Sequence, residues 1–170
     1  MVPESYNNSR TLTPNFISLI ISGVGLCLGF LVHAVAVFLP NWLGFSGLTS
    51  LWDYSLIDSS GPDWLNATRA MEIFGFLISL LAVVLFIIIL VKSSSIQHSG
   101  TPVERAVNVL LFLFMSLLFA AGLVIFIGII ILMVWHRLHI ACYLSGTAGV
   151  LFLAAAGLSG TAIIDLNTNK

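Results

Sequence analysis

The sequence predicts an all-α membrane protein: a four-helix transmembrane bundle with a small extracellular β-layer from its first loop. Three observations predict it. Of 170 residues, 59% are hydrophobic and only 8% are charged, against about 25% charged in an ordinary soluble domain. The charged residues are excluded from four runs, 16–39, 73–91, 109–134 and 140–164. Each run approaches or exceeds the roughly 20 residues that cross ~30 Å of hydrocarbon at about 1.5 Å per residue. A water-facing surface needs far more ionised groups than these, and a net charge of −1 leaves no basic footprint for nucleic acid. Nucleic-acid partners are therefore not expected, and the lipid bilayer is.

The whole chain, 1–170, reads as one membrane domain with helices at about 16–39, 73–91, 107–135 and 140–164. The first run is too long for the apolar core of a signal peptide and follows a polar stretch, so cleavage is not expected. A long loop, 40–72, separates the first two spans. The last two are joined by about five residues, so they must be antiparallel neighbours. An even number of spans puts both termini on one side. With the termini inside, Arg10, Lys92, Arg105 and Lys170 are cytoplasmic and Arg69 and Arg137 are outside. That balance follows the positive-inside rule. Asn66-Ala67-Thr68 is a glycosylation sequon, and Asn66 in an outer loop is the candidate acceptor. Its proximity to the second span hinders transfer. Plasma membrane is the expected location.

Between helices in lipid there is no hydrophobic push, so small residues must permit close packing. Gly25 and Gly29 form a small-xxx-small pair in the first span. Ser116-x-x-x-Ala120 followed by Gly122 does so in the third. The fourth carries Gly149, Ala156 and Gly160. These serve packing within the bundle, with a homodimer seam as the alternative. The second span lacks the pattern and is expected to show lipid a wider face.

The spans hold one ionisable candidate, His33. A proton relay at depth needs a carboxylate partner. Glu72 and Asp165 read as helix-end residues, so His33 is expected to hydrogen-bond Ser79 or Thr147. Cys27 and Cys142 do not form a redox motif and read as buried free thiols. His136 and His139 lack a third ligand, so no metal is expected, and Trp135 and Arg137 read as interfacial anchors. No catalytic or cofactor motif is present. Neither enzyme activity nor a cofactor is expected.

The informative segment is the first loop. It holds Trp42, Trp52 and Trp64, with aromatic and β-branched residues over 48–57 between turn-forming stretches. This composition predicts two or three short strands whose rings pack at headgroup level. Trp42 after the first span, Leu51-Trp52, and Arg69 before the second span resemble the superfamily of claudins, peripheral myelin protein and epithelial membrane proteins. Ser50 stands where that family prefers Gly. Ser55 and Ser59 or Ser60 stand near its two cysteines, so the family's loop disulfide is absent. The resemblance implies a non-enzymatic plasma-membrane protein of cell–cell contacts or barriers. It would act by lateral association, with itself or another membrane protein, and through loop contacts shaped by Trp42, Leu51, Trp52 and Arg69. The alternative is an auxiliary subunit of an ion channel or receptor.

Overall fold

The computed structural model describes residues 14–39, 63–95, 101–135 and 140–168. They form four helices: α1 (Pro14–Phe38), α2 (Asp63–Ser95), α3 (Thr101–Trp135) and α4 (Ile140–Thr168). All four are long and apolar enough to cross a membrane. The chain is a multi-pass membrane protein whose surroundings are a lipid bilayer. Among the described residues there is no strand. The β-layer expected from the first loop falls at 40–62, outside the described residues, as do Trp42, Leu51 and Trp52.

Local chemistry sets the helix starts. Pro14 opens α1 and Pro102 lies in the first turn of α3, positions where a missing N–H removes no intrahelical bond. Asp63 lies in the first turn of α2 and Lys92 in its last, each opposite in sign to its end of the helix dipole. These polar turns extend α2 ten residues before the start expected at 73. With 33 residues in α2 and 35 in α3, the two helices reach about 50 Å, beyond the hydrocarbon thickness.

The helices form a ring in chain order. α1 lies broadly on α4, α4 on α3 and α3 on α2, while α1 and α2 meet along a narrower seam. Outward faces are lipid-like: Val24, Leu31 and Phe38 on α1, Leu77 and Val84 on α2, and Phe112 and Ile130 on α3 are exposed. As expected, α2 has the smallest buried share.

Two apolar clusters fill the interior. The larger includes Leu26, Ile89, Phe114, Leu118, Ile125 and Phe152. The smaller joins Ala36, Leu65, Leu132, Ala141 and Cys142. Its residues come from the last turns of α1 and α3 and the first turns of α2 and α4, so it lies at the end of the bundle bordering 40–62. Close approach is set by glycine. A Cβ on Gly29 would sit 2.8 Å from the Phe152 ring, and one on Gly25 3.3 Å from Ala155 Cβ. At Gly122 it would meet Leu153 at 2.8 Å and the Gly149 carbonyl oxygen at 3.1 Å. At Gly149 it would meet the Phe126 ring at 3.2 Å, and at Gly160 the Met115 sulfur at 3.3 Å. Ala156 is buried in the main core. These residues thus lie on faces that α4 shares with α1 and α3.

Candidate functional site

Helical spacing brings three polar side chains from distant parts of the chain to one level. His33 is five residues from the end of α1, Ser145 five residues into α4, and Glu72 nine residues into α2. At about 1.5 Å per residue, these lie about 7.5 Å and 13.5 Å inside their helix ends. All three are fully buried. His33 Nε2 lies 2.8 Å from Glu72 Oε2, and Ser145 Oγ donates to the same oxygen at 2.8 Å. The bond from Ser145 ties α4 to the α1–α2 pair.

The surroundings are apolar and tight. The rings of Phe76 and Phe152 stand edge-on to the imidazole, with centroids 6.3 Å and 6.4 Å away. A Cβ on Gly75 would come within 3.3 Å of His33 Cε1. A Cβ on Gly128 would come within 3.3 Å of Glu72 Oε1, so the absent side chain of Gly128 leaves room beside that oxygen. Among the described residues, neither Glu72 Oε1 nor His33 Nδ1 has a hydrogen-bond partner. The polar layer lies between the two apolar clusters. It can share a proton, and it can hold three helices in register.

This arrangement corrects the reading of His33. The expected partners are engaged elsewhere: Ser79 Oγ donates to the Phe76 carbonyl and Thr147 Oγ1 to the Tyr143 carbonyl, each within its own helix. Glu72 is not a helix-end residue but an interior one, so His33 does have a carboxylate at depth. A charge at the edge of an apolar run reads as an interfacial boundary. Its burial follows only from a polar partner on another helix, which the run itself does not contain. His33 on an apolar helix was the signal that such a partner exists.

A second polar contact lies toward the opposite end. Ser22 Oγ donates to the Ala155 carbonyl at 2.8 Å and lies 2.6 Å from Ser159 Oγ. It joins α1 to α4 and was not singled out from the sequence. Of the two thiols, Cys142 is buried as expected, whereas Cys27 is exposed on the outer face of α1. No group of three or more metal-binding side chains occurs among the described residues. His136 and His139 lie outside them.

The expected loop residues divide in two. Arg69 and Asn66 belong to α2 rather than to a loop, and Arg69 Nη1 donates to Asn66 Oδ1 at 3.3 Å. Thr68 is buried with its hydroxyl on the Trp64 carbonyl. Sugar transfer suits a surface loop, not a sequon whose threonine is buried in a helix. Asn66 is therefore expected to stay unmodified. The Asn66→Gln variant should match wild type in electrophoretic mobility before and after glycosidase treatment, and a mobility shift lost in that variant would refute this.

In comparisons with known proteins, no family model and no curated protein matches the chain.

Proposed function

We propose that this multi-pass protein works by association: it is a claudin-like plasma-membrane protein that organises cell–cell contact or a barrier. In this reading both termini are cytoplasmic. Residues 40–62 form a small extracellular β-layer carrying Trp42, Leu51 and Trp52, and Arg69 lies at its base. The observation that carries the reading is how the bundle spends its polar groups. His33, Glu72, Ser145, Ser22 and Ser159 are committed to bonds between helices, with apolar clusters packed around them. Such a bundle is a scaffold that holds an external loop, and the loop resemblance supplies the class of work. Trp52→Ala should leave the protein in the membrane and abolish its enrichment where two expressing cells touch. Unchanged enrichment in fluorescence imaging of mixed cultures refutes the contact role.

A second reading, an auxiliary subunit of a channel or receptor, has its own support on α4. The exposed face of that helix carries Thr147, Ala154, Gly157 and Thr161, and a Cβ on Gly157 would meet nothing within 4 Å. Small residues on a lipid-exposed face suit close approach by another protein's helix. Retention of a channel through mild-detergent purification favours this reading. Lines of protein at contacts, without such a channel, favour adhesion.

A further inference from the structure

We propose that His33 and Glu72 form an intramembrane proton-binding site whose occupancy holds the α1–α2 seam closed. The inference does not depend on which partner the protein meets outside the membrane. It starts from burial: both side chains have 0% exposure and lie 2.8 Å apart. An uncompensated charge in so apolar a layer is costly. The layer is neutral when the pair holds two protons in all, either as imidazolium with carboxylate or as imidazole with carboxylic acid. These forms differ by one proton moved along the Nε2–Oε2 contact. In the first, Nε2–H and the Ser145 hydroxyl both donate to Oε2. Adding a third proton gives a net positive layer, and removing one gives a net negative layer.

The sites for that exchange are present. Glu72 Oε1 and His33 Nδ1 are buried and have no partner among the described residues. Oε1 faces Gly128, where no side chain intervenes. A third proton has an open acceptor on Oε1 of the imidazolium–carboxylate form, whereas Nδ1 carries its hydrogen in both neutral forms and is the donor from which a proton can be lost. The source of the third proton is bulk water.

The pair is faced by few titratable or charged groups among the described residues. On α1, His33 is the titratable group of this layer. On α2, Arg69 lies about one turn nearer the loop, half-buried, with its guanidinium on Asn66. On α3, the layer is met by Gly128 and Ile125, which do not ionise. On α4, Ser145 is neutral and Cys142 lies one turn away, a buried thiol. The helices that separate most readily are the two this pair joins, because theirs is the narrowest seam of the ring.

The full chain in lipid vesicles tests this. With Cys142→Ser, a spin label on the exposed Cys27 of α1 and another on Leu81→Cys of α2 report the seam. Infrared spectra of the unlabelled protein report the carboxyl group. As the pH is varied, we expect a carboxyl band of changing intensity that Glu72→Gln removes. The label separation should depend on pH, shortest where the pair is neutral and longer by about 1–2 Å where it carries a net charge, a typical helix displacement. The His33→Gln/Glu72→Gln double variant keeps uncharged hydrogen-bonding groups and should show one pH-independent separation. The proposal is overturned if the band is absent or survives Glu72→Gln. It is equally overturned if the wild-type separation is constant, or if the double variant shows the same pH dependence.

Discussion

Glu72→Ala destabilises the bundle by about 2–4 kcal/mol, measured by denaturant-driven unfolding in mixed micelles. The substitution removes the acceptor that His33 Nε2 and Ser145 Oγ share. A buried donor left without a partner costs about 1–3 kcal/mol, and breaking a buried pair from one side costs about 3–5 kcal/mol in soluble proteins. Interhelical hydrogen bonds in membranes average only about 0.6 kcal/mol, which places the expectation below the sum. Glu72→Gln retains an amide oxygen for the two donors and should cost about 1 kcal/mol. Because the residues touch, the loss should be strongly non-additive with His33→Ala in a double-mutant cycle. A Glu72→Ala change within about 0.5 kcal/mol of wild type, the range of ordinary surface substitutions, would show that the layer does not hold the helices.

The other large effect is expected at glycine, and its sign depends on the neighbour. Gly122→Ala should destabilise the bundle by about 1–3 kcal/mol, the usual cost of overpacking. The new Cβ meets Leu153 at 2.8 Å and the backbone oxygen of Gly149 at 3.1 Å. A side chain can rotate away, but a backbone oxygen yields only if α3 and α4 separate. Gly157→Ala on the same helix pair should do the opposite, because a Cβ there meets nothing within 4 Å. It should stabilise the isolated bundle by about 0.5–1 kcal/mol through reduced backbone freedom. Unfolding of both variants under one condition checks the pair. Equal effects would mean that glycine acts through helix propensity rather than through spacing.

The sequence made different features legible to different degrees. Four charge-free runs located all four helices, and Gly25, Gly29, Gly149, Ala156 and Gly160 fall on faces that α4 shares with its neighbours. The same reasoning placed α2 ten residues late, because it ended the span at Glu72 and assigned Asn66 and Arg69 to a loop. A hydropathy run records the average environment of consecutive residues. It does not record that one carboxylate turns inward toward an imidazole 39 positions earlier and a hydroxyl 73 positions later. His33 drew notice as the lone ionisable group in a span, and its burial was expected. Its partner was missed because Glu72 was read as a helix-end residue; Ser79 and Thr147, the partners expected instead, are each held by their own helix.

By itself the sequence determined that this chain lives in a bilayer and crosses it four times. That follows from transfer free energy summed over each run, a local quantity that needs no knowledge of the fold. Tertiary structure alone decided which polar atoms meet and which glycine faces a backbone. It made Glu72 part of the interior. Those outcomes depend on how separate helices are rotated and spaced against one another, and a contact of 2.8 Å exists only once the ring of four has closed.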